Sequence, residues 1–422
     1  MKIFSEVMIL FDRIVLDNGL KVIVHEDTST PLVAMNILYN VGSRDEDPVL
    51  TGLAHLFEHL MYGGSVNIPE YDLPLQQAGG DNNAFTTNDI TNFYLTVPSA
   101  NIETGFWLES DRMYELDFSQ KKLNVQKNVV IEEYKQRYLN QPYGDAMLMI
   151  KPMAYKFHPY RWPTIGMDIK HIENACLSDI KEFFFSHYAP NNAIITLAGN
   201  IKSDRAFKLA EKWFGPISSR KIKARILPKE PAQTEERTIT VERNVPATAI
   251  YKVWHIGPRN GEHYHSMDLL TDILAGGESG RLHTRLVREK NLFTEINAYI
   301  TSDIDPGLAI VQGRLMNGIE VHEAVNALDE IITELKTKPV PENEMEKVRN
   351  RFEASNVLSN TSILNKAMNL SYYELLGDAS EINLEVENYR RVSSRMVRDG
   401  AMRFLNQENS CTLYYLSNTR LK

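Results

Sequence analysis

The most informative part of this 422-residue chain is the stretch Gly52-Leu-Ala-His-Leu-Phe-Glu-His-Leu-Met-Tyr-Gly-Gly64. Its apolar residues recur at helical spacing and two glycines follow them, which predicts a buried helix that ends near Gly63. On such a helix His55 and His59 lie four residues apart, so both imidazoles occupy one face about one turn from each other. Two imidazoles placed in this way can bind one metal ion.

Glu58 adds an acid–base group to this pair of histidines. It directly precedes His59, so its carboxylate projects beside the same face, where it could take a proton from a water molecule held by the metal. Burying an ionised carboxylate without partners costs free energy, and a metal ion removes that cost. The short pattern also arises by chance, however, and a catalytic zinc site usually has three protein ligands, so a third ligand is needed.

The run Gln126-Lys-Asn-Val-Val-Ile-Glu-Glu-Tyr-Lys-Gln-Arg-Tyr138 offers that third ligand. Helical periodicity places Glu133 on the apolar face with Val129 and Val130, whereas Glu132 is rotated toward the polar side. We therefore predict Glu133 as the ligand, although either glutamate taken alone also fits a solvated helix surface.

Together the two runs resemble the inverted zinc-peptidase motif of the pitrilysin-type metallopeptidases, the inverzincins, which include mitochondrial processing peptidase subunits and bacterial zinc peptidases. The resemblance covers essentially the whole chain. Further matching phrases are Leu16-Asp-Asn-Gly-Leu20, Val41-Gly-Ser-Arg44, Gly79-Gly-Asp-Asn-Asn-Ala-Phe-Thr86 and Asn140-Gln-Pro-Tyr-Gly144.

This resemblance implies zinc as the cofactor and hydrolysis of short or unfolded peptides as the reaction. The ligands would be His55, His59 and Glu133, and Glu58 would be the catalytic base. Some relatives keep the fold without the site, so a non-catalytic structural or core subunit of a processing complex is the alternative. The family often has a further glutamate where this chain has Gln126, a departure that many active-looking relatives share.

The resemblance also implies where a substrate would bind. In the family, the strand that matches Asn83, Ala84 and Phe85 is an edge beside the zinc, to which a peptide adds as an extra strand. Arg288 stands in the place of an arginine that reaches the substrate from the second half of the molecule.

A tyrosine that accompanies this arginine in active members is absent from this chain. Phe293-Thr294-Glu295 stands where it is expected, and Tyr299 lies further along a predicted strand. Because another subunit could supply the missing contact, we expect a dimer, and we favour a heterodimer with a zinc-less homologue over a homodimer.

An internal repeat divides the chain. The run Ala249-Ile-Tyr-Lys-Val-Trp-His-Ile-Gly-Pro-Arg259 parallels Ala34-Met-Asn-Ile-Leu-Tyr-Asn-Val-Gly-Ser-Arg44, and a helix ending at Gly276-Gly277 parallels the one ending at Gly63-Gly64. The second copy lacks the metal motif, and the i, i+2 spacing of its histidines does not replace it. We predict a zinc-binding domain over residues 1–220, a linker over 221–236 and a homologous domain without metal over 237–422.

Each domain is expected to be α+β, a mainly antiparallel sheet packed with helices. Early hairpin signals support this prediction, among them the turn Asp17-Asn-Gly19 between two β-branched runs. Family members close two such two-domain halves into a clamshell around a chamber. A chain of this length resembles one half, so a second subunit would complete the chamber.

Composition excludes several other classes of protein. A net charge of −9 argues against nucleic acid as a partner, and no run reaches the 18 or so apolar residues that a membrane helix needs. Glu6 interrupts the opening apolar residues, so we expect a cytoplasmic protein, or a periplasmic one if a leader has been removed. Cys176 and Cys411 are isolated and are predicted to lie in the core.

Overall fold

The computed structural model describes residues 8–418. Its strands, in chain order, are β1 (Asp12–Val15), β2 (Lys21–Glu26), β3 (Leu32–Tyr39), β4 (Asp81–Thr86), β5 (Thr91–Pro98), β6 (Ala193–Gly199), β7 (Arg237–Arg243), β8 (Ala249–His255), β9 (Phe293–Ile300), β10 (Leu308–Leu315) and β11 (Ser410–Ser417). The segment with Glu6, on which the prediction about a leader depends, lies outside the described residues.

The α-helices, again in chain order, are α1 (Leu53–Leu60), α2 (Asp72–Gln77), α3 (Ile102–Tyr114), α4 (Gln120–Tyr134), α5 (Ala146–Ala154), α6 (Ile169–Asn174), α7 (Leu177–His187), α8 (Ser203–Phe214), α9 (Tyr264–Ala275), α10 (Val321–Thr337), α11 (Glu342–Ser359), α12 (Ile363–Leu376), α13 (Glu385–Arg391) and α14 (Ser394–Phe404). Two π-helical turns, Lys135–Leu139 and His283–Glu289, follow α4 and precede β9. Among residues 8–418, no helix is both long and apolar enough to cross a bilayer.

The chain forms two compact units, each with its own sheet. Unit 1 contains residues 8–134, Trp162–Leu227 and Val357–Leu384, and unit 2 contains Lys135–Arg161, Pro228–Asn356 and residues from 385 onward. The predicted domains, 1–220 and 237–422, differ from these units in two segments. Residues 135–161 belong to unit 2 because α5 packs on β7, β8 and β11, and residues 357–384 belong to unit 1 because α12 packs on β3 and β6. Each unit has therefore recruited a helix from the other half of the sequence.

The sheet of unit 1 has the order β1-β2-β6-β3-β5-β4 in the described residues. Its neighbours pair antiparallel except β2 and β6, which are parallel. The predicted hairpin at Asp17-Asn-Gly19 is confirmed, since β1 and β2 pair across it and Gly19 has the positive φ of 87° that such a turn needs. The strand β3 lies inside the sheet and is buried from Val33 to Tyr39, while β4 lies at the sheet's end.

A buried polar contact secures α12 on this sheet. The Asn36 amide of β3 donates to the Ser371 hydroxyl at 2.9 Å, and that hydroxyl donates to Thr196 Oγ1 of β6 at 2.8 Å. Because buried polar groups are costly without partners, this chain of hydrogen bonds fixes α12 in one position against the sheet.

In the described residues, the sheet of unit 2 repeats the arrangement β2-β6-β3-β5-β4 and has no strand in the place of β1. Its order is β7-β11-β8-β10-β9, and its neighbours are antiparallel except β7 and β11. The parallel pair β2/β6 thus corresponds to β7/β11, β3 to β8, and the end strand β4 to β9. This correspondence confirms the predicted fold class of two similar α+β domains, and α9 follows β8 as α1 follows β3.

The two cysteines behave differently from each other. Cys411 is buried on β11, as predicted, but the prediction for Cys176 is wrong because this residue is exposed. Cys176 precedes α7, where its backbone N–H donates to Asp179 Oδ2 at 2.8 Å. A residue that caps a helix lies at the surface, and residue type alone does not reveal that position.

Candidate metal centre

Burial of one side of α1 leaves its polar residues on the opposite side. The buried residues are Leu53, Ala54, Leu56, Phe57 and Leu60. The Phe57 ring lies 5.3 Å from the ring of Phe183 and 5.0 Å from that of Tyr188, so the helix is held by aromatic packing. This packing turns His55, Glu58 and His59 together toward the other side, as the sequence predicts.

A buried carboxyl group fixes the beginning of α1. Glu46 accepts hydrogen bonds from the backbone N–H groups of Gly52 and Ala54, each at 2.8 Å. These N–H groups belong to the first turn, which has no partner within the helix. Burial raises the pKa of Glu46 to about 8, although both hydrogen bonds act to lower it. Glu46 was not among the predicted site residues, and its one signal in the sequence is an acidic residue shortly before a helix.

The third predicted ligand approaches both histidines. Glu133, near the end of α4, has its Oε2 atom 3.7 Å from His55 Nε2 and 3.3 Å from His59 Nε2. The two imidazole centroids are 4.8 Å apart. All three residues are partly buried, with 12% of the His55, 24% of the His59 and 17% of the Glu133 side chain exposed. The structure therefore brings together the three residues that the sequence predicts as ligands.

The separations of these atoms match the size of a metal ion. One ligand atom from each residue can be chosen so that all lie within 4.8 Å of one another. Two bonds of about 2.05 Å at a tetrahedral angle separate zinc ligands by about 3.3 Å. A set of two imidazole nitrogens and one carboxylate oxygen is typical of a catalytic zinc site with an open fourth position. In residues 8–418, no second group of His, Cys, Asp and Glu side chains meets the same condition.

The prediction that Val129 and Val130 both lie on a buried face of α4 with Glu133 is partly wrong. Val130 is buried as predicted, but Val129 is 45% exposed, so the buried face of α4 is narrower than the sequence indicates. Glu132 is exposed, and Glu133 lies beside the histidines. Of the two glutamates, the predicted one is thus the one that lies close to the histidines, although Val129 does not share its buried position.

The predicted base, Glu58, contacts the end strand of the sheet. The Thr86 hydroxyl donates a hydrogen bond of 2.6 Å to Glu58 Oε2. Thr86 is the last residue of β4 and was not among the predicted site residues. Its signal was the alternation of β4, which places Thr86 on the same side as Ala84.

The predicted peptide-binding residues lie on this same strand. Asn83 and Phe85 are exposed, whereas Ala84 is partly buried, and the Ala84 N–H donates to Asn83 Oδ1 at 2.8 Å. The strand pairs with β5 on one side and ends the sheet on the other in the described residues. An exposed backbone edge of this kind can accept a further strand.

The remaining predicted residues belong to unit 2. Arg288 is exposed on the π-helical turn before β9. Tyr299 lies on β9, which confirms the predicted strand, and its side chain is exposed. Both residues therefore belong to unit 2, whereas the predicted metal ligands belong to unit 1.

Two family descriptions match the chain. Residues 21–166 match the insulinase family, peptidase family M16, and residues 176–352 match the domain described as the peptidase M16 inactive domain. Among curated relatives, the zinc protease PqqE of Helicobacter pylori is 32% identical over 67% of this chain, and the match covers 65% of PqqE. The uncharacterized zinc protease YmxG of Bacillus subtilis is 25% identical over 90% of this chain and 94% of its own length.

Solved structures share the fold. A protease from Helicobacter pylori superposes with a TM-score of 0.91 and 24% identity, covering 97% of this chain and 100% of that one. Pitrilysin gives a TM-score of 0.76 with 19% identity, and the match covers 98% of this chain but 46% of pitrilysin. The first family match contains the three predicted ligands and the predicted base, and the second begins beyond these four residues. The two family matches, over residues 21–166 and 176–352, lead to one conclusion: the chain belongs to the pitrilysin-type peptidase family, M16.

Proposed function

We propose that this chain is a zinc-dependent endopeptidase that hydrolyses short or unfolded peptides. The observation that carries the proposal is the convergence of His55, His59 and Glu133 on one point beside Glu58. Two nitrogen ligands and one carboxylate suit zinc, and the relatives described as zinc proteases support the same metal. A zinc ion bound there supplies a Lewis acid that polarises the scissile carbonyl group and lowers the pKa of water.

The residues of the chain carry the proton transfers. Glu58 accepts a proton from the attacking water molecule and returns it to the leaving amine, so one carboxylate acts first as base and then as acid. His55, His59 and Glu133 hold the metal and set its distance from Glu58. This division of roles follows from the fact that Glu58 shares a helix with the two histidines but is not one of the three converging residues.

The substrate in this proposal is a peptide in an extended conformation. Its backbone pairs with the free edge of β4, and Asn83, Ala84 and Phe85 provide the contacts. Recognition through backbone hydrogen bonds selects for chains that can become extended, and it gives little preference for sequence. Folded domains are therefore poor substrates.

A second subunit completes the chamber in this proposal. The fold of this chain matches 46% of pitrilysin, which supports the view that it corresponds to one half of a larger enzyme. The partner we favour is a zinc-less homologue of similar size, because Phe293-Thr294-Glu295 stands where the family has its tyrosine.

The test combines metal content with hydrolysis of an unstructured peptide. The wild-type protein is expected to bind zinc and cleave the peptide, whereas E58Q should bind zinc and lose cleavage. The H55A variant should lose both the metal and the activity. An E58Q protein that cleaves at the wild-type rate would refute the assignment of the base.

The alternative is a non-catalytic scaffold, and one observation favours it. The match over residues 176–352 is to a domain described as inactive. This region does not contain the converging residues, and a scaffold gains nothing from keeping three ligands and a base. A wild-type protein that binds no zinc and cleaves no unstructured peptide, alone or with its homologue, would establish the scaffold.

A further inference from the structure

The predicted base makes a polar contact with the strand that is predicted to bind the substrate. Thr86 Oγ1 donates to Glu58 Oε2 at 2.6 Å, a short hydrogen bond between a hydroxyl group and a carboxylate. We propose that Thr86 is a positioning residue that aligns the Glu58 carboxylate for proton transfer. This inference rests on the proposed peptidase function and extends it to a residue outside the metal centre.

The geometry of β4 directs the Thr86 hydroxyl toward α1. Side chains alternate across a strand, and in β4 Asp81, Asn83 and Phe85 are exposed while Asn82, Ala84 and Thr86 are partly buried. The strand β4 packs against α1, and Thr86, on the partly buried side of the strand, contacts Glu58 of that helix. Threonine is branched at Cβ and has few side-chain conformations in a strand, so its hydroxyl group keeps one direction.

The turn that follows Thr86 is held by its own hydrogen bonds. The Thr87 hydroxyl accepts from the backbone N–H groups of Asp89 and Ile90, each at 3.1 Å. The Thr87 N–H donates to Ile90 O at 2.8 Å. Asp89 is paired with Arg44 at 2.8 Å, and both side chains are almost fully buried. The turn after β4 is therefore held in one conformation, which constrains the end of the strand.

The segment that contains Arg44 connects this turn to the metal-binding helix. The Ser43 N–H donates to Thr87 O at 3.1 Å, and the Arg44 N–H donates to Asn88 O at 2.9 Å. Two residues beyond Arg44, Glu46 accepts the N–H groups at the start of α1. These contacts connect α1 to the end of β4 in two ways within unit 1. One runs from the start of α1 through residues 43–46 to the turn after Thr86, and the other is the hydrogen bond between Thr86 and Glu58.

Because both ends of this contact are held in place, the hydrogen bond from Thr86 can orient the Glu58 carboxylate. A carboxylate that acts as a base needs one oxygen aimed at the water molecule, and the hydrogen bond from Thr86 to Oε2 restricts the rotation that would turn Oε1 away. Ala84 and Phe85 precede Thr86 on the same strand, so the residues predicted to bind the peptide and the residue that aligns the base share one rigid element. Alignment of the substrate and alignment of the base are thereby coupled through β4.

The experiment compares two substitutions at position 86 with a control on the neighbouring strand. Thr86→Val keeps the shape of the side chain but removes the hydroxyl group, and Thr86→Ser keeps the hydroxyl group. Thr91 lies directly opposite Thr86 on β5, and its hydroxyl group donates to Val41 O at 3.0 Å instead of to Glu58. Thr91→Val therefore removes a buried hydroxyl group from the same part of the sheet without touching the base.

Four quantities are measured for each protein with an unstructured peptide: kcat, KM, the zinc dissociation constant from chelator competition, and Tm. We expect Thr86→Val to lower kcat by roughly tenfold or more, with KM and the zinc dissociation constant within about twofold of wild type. Thr86→Ser should recover most of kcat, whereas Thr91→Val should lower Tm and leave kcat near wild type.

Three results would overturn the inference: a wild-type kcat in Thr86→Val, an equal loss of kcat in Thr91→Val, or no recovery in Thr86→Ser. E58Q is assayed in the same series to separate this inference from the proposed function. If E58Q is inactive and Thr86→Val is fully active, the peptidase assignment stands and the role of Thr86 fails. If E58Q is as active as wild type, the proposed function fails.

Discussion

Arg351 lies 3.8 Å from Asp272, with its Nη1 atom facing Oδ1, at the place in unit 2 that corresponds to the metal centre of unit 1. Counted back from the glycine pairs Gly63-Gly64 and Gly276-Gly277, Asp272 takes the position of His59, and Asp268 takes that of His55. Arg351 is on α11, which is the second α-helix after β10, as α4 is the second α-helix after β5. A side-chain cation thus faces an acidic residue where unit 1 presents its predicted metal ligands.

This difference predicts one zinc ion per chain. The wild-type protein should contain one equivalent of zinc by mass spectrometry of the metal, because unit 2 offers carboxylates and a guanidinium instead of imidazoles. The double variant H55A/H59A should contain none. Two equivalents in the wild type, or a full equivalent in the double variant, would contradict the assignment of the centre to unit 1.

Removing the positive charge of Arg351 should have a small effect on stability. The ion pair is partly exposed, and exposed pairs contribute less than about 1 kcal/mol. Burial raises the pKa of Asp272, and Arg351 acts against this increase, so R351M should raise that pKa further. Chemical denaturation should show a loss below about 1 kcal/mol at pH 7, with zinc content unchanged. A loss of zinc in R351M would show that the two units are coupled.

Glu46 predicts a pH dependence of stability. Its pKa is about 8 in the folded protein and 4.5 for a free glutamate, so the folded state keeps a proton between these values that the unfolded chain releases. The contribution of Glu46 is complete below about pH 4.5 and is lost as the pH rises toward 8. Urea denaturation in the presence of a chelator should show that wild type loses about 2 kcal/mol more than E46Q between pH 6 and 8. Parallel pH profiles for the two proteins would show that Glu46 is ionised in the fold.

The metal centre was predictable because its signals are local. The spacing of His55, Glu58 and His59 on one helix depends on 3.6 residues per turn, and the apolar residues between them fix which side is buried. Glu133 was predictable from helical periodicity and from the resemblance to a known family, although Val129 does not lie on the buried side.

Glu46 and Thr86 were not predictable because their roles depend on tertiary contacts. A glutamate in a loop is usually solvated, and the burial of Glu46 appears when α1 folds against residues 42–46. Thr86 faces Glu58 because β4 packs on α1, a relationship between residues 28 positions apart. The exchange of α5 and α12 between units has the same origin, since continuity of the chain does not determine which sheet a helix covers.

Lys127 should influence metal affinity through the position of α4. Its ammonium group donates to the carbonyl groups of Glu173 and Ala175 at the end of α6, at 2.5 and 2.9 Å. Within α6, the Nδ1 atom of His171 lies 2.8 Å from the hydroxyl group of Thr51, which comes just before α1. The helix α6 therefore links α4 and α1, the two helices that carry the predicted ligands.

We expect K127M to weaken zinc binding several-fold, because the loss of two hydrogen bonds leaves Glu133 less well placed relative to the histidines. Lys122→Met is the matched control, since Lys122 is also on α4 but pairs with Asp117 at 2.8 Å. Chelator competition measures both proteins. Equal zinc affinities for K127M and the control would remove Lys127 from this role.

The last prediction concerns the second subunit. Arg288 and Tyr299 belong to unit 2, and Phe293-Thr294-Glu295 replaces the tyrosine that active family members use, so a chain acting alone lacks one predicted contact to the substrate. A zinc-less homologue that carries the arginine and tyrosine would supply it, because donors aimed at the developing charge lower the barrier whichever subunit carries them. The purified chain should therefore cleave an unstructured peptide slowly. Addition of such a homologue encoded in the same genome should raise kcat by about tenfold or more, with zinc still bound by this chain. The E58Q variant mixed with the same homologue is the control and should stay inactive. Full activity of the chain as a homodimer, unchanged by the homologue, would exclude the heterodimer and would indicate that two identical halves complete the chamber.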